Sequence, residues 1–218
     1  MAPAWYLETL FMAPAWYFDF VSPFAYLQNL RLDEFSSHLI IERKPLLFAG
    51  LLKHWETKGP AELSPKRLFT YRHVQWMAER QNIPLRFPER HPFNPIPLLH
   101  LCIAVGCNKI AVDSIFKCVW EEGLVGDDPD CRSTFCDAVE LDVCDANELI
   151  SSLAFKSELK ANGERALEHG VFGVPTFVVD GHLFWGTDST GLLHDYIADS
   201  ALFKTAAMKR LEILPGPN

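Results

Sequence analysis

Gly170-Val171-Phe172-Gly173-Val174-Pro175-Thr176-Phe177-Val178-Val179-Asp180-Gly181 is the stretch whose reading decides the fold. Thr176 to Val179 is apolar and rich in β-branched side chains, so it reads as a strand. Pro175 cannot donate to a sheet ladder and belongs where that strand begins. Because Val174-Pro175 is an X-Pro bond, its cis form lies only roughly 0.5–1 kcal/mol above trans. Read alone, the dipeptide favours a trans proline opening an ordinary strand. Asp180-Gly181 then separates Thr176–Val179 from a second strand at Leu183–Trp185, a hairpin signal. Upstream, a helix over Glu158–His169 stops at Gly170.

Working outward, Tyr17-Phe18-Asp19-Phe20-Val21 reads as a short buried strand, bounded at once by Ser22-Pro23. Ser22 suits a helix N-cap and Pro23 the first helical position. Phe24, Leu27, Leu30 and Phe35 give the helix an apolar face. Ser22 thus lies at a strand-to-helix junction, where a capping role suffices to explain it. A second strand is expected at Leu39–Glu42, with Lys44–Leu47 continuing or ending it, which makes a βαβ start with parallel strands. From Gly50 to about Gly163 the pattern is helical. Ser64-Pro65 opens one helix, with Leu68, Tyr71, Val74 and Ala78 inward, and Asn94-Pro95 opens another around Leu98–Val105. Ile110–Glu122 and Asp130–Leu141 are two more. Thr187 or Asp188 caps a last helix containing Leu192, Leu193, Tyr196 and Ile197, and the tail from Leu214 reads as loose.

Two segments together carry a family resemblance. Asp19-Phe20-Val21-Ser22-Pro23-Phe24-Ala25-Tyr26-Leu27 resembles the active-site segment of the 2-hydroxychromene-2-carboxylate isomerases. Gly170–Phe177 and Phe184-Trp185-Gly186-Thr187-Asp188 resemble their C-terminal signature. The kappa-class glutathione transferases are the sister group and DsbA-like oxidoreductases more distant relatives. The resemblance covers nearly the whole chain from Met12. It implies an α/β, thioredoxin-like fold with a large all-helical insertion. Residues 12–48 and 164–204 form the thioredoxin-like part and 49–163 the inserted helices. It also implies a cis bond at Val174-Pro175, beside which Val174 offers its backbone to a thiol compound.

The 218 residues carry a net charge of −8, with Lys plus Arg at 20 and Asp plus Glu at 28. An acidic chain without basic runs is a poor candidate for nucleic acid or anionic membrane. No apolar run approaches the roughly 20 residues that span a bilayer. The six cysteines, Cys102, Cys107, Cys118, Cys131, Cys136 and Cys144, form no Cys-x-x-Cys. They signal neither a redox pair nor a zinc site and read as reduced, mostly packed thiols of a cytoplasmic protein. No metal spacing is seen among the histidines. Met1–Tyr6 recurs word for word as Met12–Tyr17, around Leu7–Phe11, which looks like part of a protease-site linker. Residues 1–11 are therefore read as a cloning-derived repeat rather than a signal peptide.

The chemistry follows from what Ser22 is not. A thioredoxin-like oxidoreductase has Cys-x-x-Cys where this chain has Ser22-Pro23-Phe24-Ala25, so the thiol must come from outside, and the resemblance implies glutathione. A thiol with a free pKa of about 8.5 is mostly protonated at neutral pH. The Ser22 hydroxyl, at a helix N-terminus, would favour the thiolate. The resemblance places Ser22, Phe24, Thr57 and Val174 around glutathione. Trp185, Gly186, Thr187 and Asp188 would meet its γ-glutamyl end, with Asp188 facing the ammonium. Lys53 would face the substrate, and Asn94 is the substrate-side candidate of the His91–Asn94 loop. Thr57 stands where relatives commonly have Asn, which puts that contact in doubt. The His91–Asn94 loop either lines the substrate pocket or merely starts a helix at Asn94. The implied activity is glutathione-dependent cis–trans isomerisation of a small aromatic carboxylate by a homodimer. A kappa-class-like transferase or peroxidase and a non-catalytic thioredoxin-fold binding protein are the alternatives.

Overall fold

The structure, a computed structural model, describes residues 13–214; the repeat at residues 1–11 and the tail beyond Leu214 lie outside them. Its centre is a four-stranded sheet in the order β2-β1-β3-β4. β1 is Ala15–Phe18, β2 Glu42–Pro45, β3 Thr176–Val179 and β4 His182–Trp185. β1 runs parallel to β2, with Ala15 opposite Glu42, and antiparallel to β3, with Trp16 opposite Phe177. β3 and β4 form the expected hairpin, and its turn residues Asp180 and Gly181 both have positive φ, at 51° and 79°. Two left-handed residues in a two-residue loop match the twist of the strands.

The two central strands are buried on both faces, and their side chains alternate between two cores. Trp16, Phe18, Phe177 and Val179 face one core, while Ala15, Tyr17 and Val178 face the other. The first core is covered by helices α1 (Pro23–Asn29), α5 (Lys109–Trp120) and α9 (Thr190–Ala198) through Leu27, Phe116 and Leu193. The second is covered by α2 (Phe48–His54) and α8 (Leu153–Glu168) through Leu51 and Ala166. Helices α3 (Ser64–Arg80), α4 (Ile96–Ala104), α6 (Arg132–Ala138) and α7 (Val143–Ser151) complete the helical run between β2 and β3. A last helix, α10, covers Ala206–Leu211. This is a thioredoxin-like sheet interrupted by a large helical insertion.

Several boundaries differ from the sequence reading. β1 ends at Phe18 rather than Val21 because Asp19 folds back: its carboxylate accepts from Val21 N at 3.1 Å and from Phe48 N at 2.9 Å. β2 begins at Glu42, not Leu39, and Ile40 is left 88% exposed. Pro45 is tolerated there because β2 is an edge strand. Leu30, expected on an apolar face, and Leu68, read as inward, are exposed. The helix expected over Asp130–Leu141 is a 3₁₀ turn at Pro129–Cys131 followed by α6, and α7 and α10 were not anticipated. Neither Thr187 nor Asp188 caps α9: they sit in a 3₁₀ turn, Thr187–Ser189, and α9 starts after Ser189.

Candidate functional site

The site grows from the carboxyl end of β1. Asp19 leaves the sheet, Ser22 N donates to Asp19 O at 3.0 Å, and the turn delivers Ser22 to the start of α1. Ser22 is extended (φ −94°, ψ 112°) and its Oγ accepts from Ala25 N at 3.2 Å, with Pro23 in the first turn. The cap thus uses a lone pair of the hydroxyl and leaves its hydrogen to donate. Asp19 is fully buried, and burial outweighs its two backbone N–H donors to push its carboxyl up to about 7. The Trp120 indole holds the same turn by donating to Phe20 O at 2.9 Å.

The start of β3 supplies the opposite wall. The Val174-Pro175 bond is cis, as is His91-Pro92. Val174, two residues ahead of β3, makes no backbone–backbone hydrogen bond among the described residues. Thr176 Oγ1 donates to Gly173 O at 2.7 Å, and Gly186 N donates to Pro175 O at 2.9 Å. Trp185 lies so close over Gly173 that a Cβ there would meet its Nε1 at 2.5 Å. Its ring meets that of Phe172 edge-on at 5.0 Å.

A cavity of about 870 Å³ opens between these walls, and it brings together Ser22, Phe24, Lys53, Thr57, Asn94, Val174 and Trp185. Gly186, Thr187 and Asp188 follow Trp185 in the chain but are not among the cavity-lining residues. Gly186 O accepts from Gln28 Nε2 at 3.0 Å and from Ser189 Oγ at 2.9 Å, and Asp188 is exposed. Asn94 lines the cavity, yet its Oδ1 accepts from Ile96 N at 3.1 Å and starts α4. Both readings of that residue therefore have a counterpart in the geometry. Lys53, in the last turn of α2, is exposed and forms no ion pair among the described residues. Lys58 and Lys66 line the cavity with it, against Glu62 and Asp19. Glu62, itself exposed, accepts from Gly59 N at 2.6 Å, and the three lysines outnumber the two carboxyl groups of the lining.

His91, from the loop offered as a pocket lining, does line the cavity, and so does Tyr71, which the sequence marked only as an inward helix position. Tyr71 Oη stands 2.6 Å from His91 Nδ1, and His91 Nε2 stands 2.8 Å from Val21 O. Tyr71 was legible as an inward-facing helix position and His91 as part of a polar loop near the pocket. Their pairing joins residues 20 apart that share no motif. The cysteines are free, and none lines the cavity. Burial raises the thiols of Cys102 and Cys136 and pushes that of Cys118 up to about 11, which makes them poor nucleophiles. Cys144 is exposed, while the other five are buried or half-buried.

The chain is 27% identical over 188 residues to a 2-hydroxychromene-2-carboxylate isomerase of Sphingobium xenophagum, covering 84% of this chain and 96% of that one. It is 24% identical to glutathione S-transferase kappa 2 of Caenorhabditis elegans, over 84% of this chain and 90% of that protein. The solved structure of a 2-hydroxychromene-2-carboxylate isomerase superposes with a TM-score of 0.75 at 24% identity, covering 94% of this chain and all of that one. The model of the DSBA-like thioredoxin domain matches residues 15–198. That match spans most of the sequence, and with the sheet order and the helical insertion it makes this chain a member of the DSBA-like thioredoxin family.

Proposed function

We propose that this protein is a glutathione-dependent cis–trans isomerase of small bicyclic hemiketal carboxylates of the 2-hydroxychromene-2-carboxylate type. The observation that carries the reading is the cavity itself. It joins a serine hydroxyl whose hydrogen, and a Val174 main chain whose polar groups, have no protein partner among the described residues with a cationic rim at Lys53, Lys58 and Lys66. Those features suit a tripeptide thiol with two carboxylates and an anionic substrate beside it. The isomerase relative at 27% identity supports the reaction class.

Glutathione supplies a thiolate that adds reversibly to the substrate alkene, so that the former double bond rotates before the thiol leaves. Ser22 Oγ donates to the sulfur and favours its anionic form. Val174 pairs by its main chain with the tripeptide, as an added strand does. Trp185 closes the cavity over that main chain. Lys53 holds the substrate carboxylate and the negative charge that develops beside it. The protein's place is proposed as cytoplasmic, since its free thiols carry no redox motif. No helix of the described residues is long and apolar enough to cross a membrane.

A kappa-class-like transferase is the second reading, favoured by the 24% identical relative. It would share Ser22 and Val174 and differ in what the aromatic wall accepts. Calorimetric titration with glutathione, followed by product analysis, separates the readings. Binding together with trans product from the cis substrate supports the isomerase. Binding with thioether products from electrophilic aromatics supports the transferase. An absence of binding leaves a scaffold without turnover.

A further inference from the structure

The Tyr71–His91 pair has no part in the mechanism above. Val21 O can only accept, so His91 Nε2, 2.8 Å away, carries a hydrogen and donates it. In the neutral ring Nδ1 is then bare and accepts the Tyr71 O–H at 2.6 Å. The phenol hydrogen is committed to the imidazole, and what Tyr71 offers a ligand is a lone pair. The main-chain carbonyl of His91 stands 3.1 Å from the same Oη. When Nδ1 takes a proton it donates to Oη, and the phenol hydrogen turns to that carbonyl. Every polar atom of the pair is satisfied in both states, which is the requirement for a reversible proton acceptor. Burial lowers His91 from the usual imidazole value, so the resting ring is neutral and its Nδ1 is bare. Phe87, Phe93 and Trp120 pack around the imidazole and fix its plane.

A cis double bond locked inside a six-membered ring cannot rotate, so a hemiketal substrate must open before it isomerises. Resting on the isomerase reading, we propose that Tyr71 and His91 carry the proton that ring opening moves. Tyr71 Oη takes the proton of the hemiketal hydroxyl while His91 Nδ1 takes the phenol's own. The substrate O–H bond breaks, and its electron pair becomes the second bond of a carbonyl. The hemiketal carbon–oxygen bond of the ring breaks, and its pair leaves on the ring oxygen. His91 returns its proton through Tyr71 to that oxygen, which becomes a phenol. One proton has moved from one substrate oxygen to another, and nothing is oxidised or reduced.

Two substrates test the relay with saturating glutathione. One is the chromene hemiketal; the other is the open-chain cis keto acid with its phenol oxygen methylated, which has no ring to open. Positioned acid–base groups are worth about 10²–10⁴-fold. Tyr71→Phe should therefore lose a hundredfold or more in kcat on the hemiketal, yet stay within about threefold of wild type on the methylated acid. His91→Gln keeps a donor for Val21 O but no base, and the same selective loss is expected from it. Equal losses on both substrates, or full activity on the hemiketal, overturn the relay while wild-type turnover leaves the isomerase reading standing. Wild-type protein that converts neither substrate refutes the isomerase reading, and the relay falls with it.

Discussion

Ser22 serves the fold with a lone pair and, in the proposed reaction, the ligand with its hydrogen, so two substitutions separate the roles. Ser22→Ala removes both. It should lower stability by about 1 kcal/mol through the lost cap. It should also raise the pKa of bound glutathione by about one to two units, the worth of one charge-assisted hydrogen bond. Ser22→Asp keeps a good cap but carries no donor, so it should retain stability and still lose the thiolate. Thiolate absorbance against pH and thermal melts read the two effects. A Ser22→Ala protein that is less stable yet has an unchanged thiolate pKa leaves Ser22 as a cap alone. Lys53 is exposed, and an exposed ion pair is worth roughly 0.2–1 kcal/mol. Lys53→Met should accordingly raise KM for the anionic substrate only about two- to fivefold, with kcat little changed; an unchanged KM would remove Lys53 from the site.

Asp19 makes a prediction of a different kind. Its folded pKa, at about 7, lies above the ordinary carboxyl value near 4, so the folded chain holds the proton more tightly. Its contribution to stability is fully present below pH of about 4 and is lost as pH rises through about 7. Denaturant titrations between pH 5 and 8 should show stability falling with pH, and Asp19→Asn should flatten that slope. An identical slope in the variant would contradict the assignment. Asp19 was legible as part of a buried segment and a motif, but its partners were not, because they depend on α2 closing over β1 through Phe48 N.

At the scale of elements, Gln28 shows how α1 is tied to the far edge of the sheet. Its Oε1 accepts from the Trp16 indole at 2.8 Å, and its Nε2 reaches Gly186 O at 3.0 Å and Thr190 Oγ1 at 3.4 Å. Gln28→Leu should cost about 2–3 kcal/mol, since it leaves the buried Trp16 N–H without its acceptor. A variant as stable as wild type would show that the network is dispensable. β3 and its turn were legible to the residue, and β4 to within one, because proline, β-branching and Asp-Gly all mark the same boundaries. β1 and β2 were legible as strands but slipped by about three residues: the apolar run of β1 continues through Phe20 into a turn packed on the core, and the apolar Leu39–Ile41 run precedes β2 and leaves Ile40 exposed. Helix α7 escaped because its start is signalled only by Asp142, whose side chain accepts from Cys144 N at 2.7 Å. Asp145 and Glu148 also interrupt its apolar pattern.

At the scale of the whole molecule, the sheet supplies Ser22 and Val174 while the inserted helices and their loops supply Lys53, Tyr71 and His91. The first pair was legible because its geometry is dictated by local turns. The second set was legible only in part, since helix packing between distant segments decides which side chains meet. The claim that joins both halves is that one cavity binds glutathione beside a hemiketal carboxylate and isomerises it. The most direct measurement is the absorbance change of the chromene acid, followed with wild-type protein at neutral pH, with and without glutathione. The account predicts rapid formation of the trans keto acid that needs glutathione and is not supported by its S-methyl derivative. Isomerisation that proceeds equally without glutathione, or none in its presence, would contradict it.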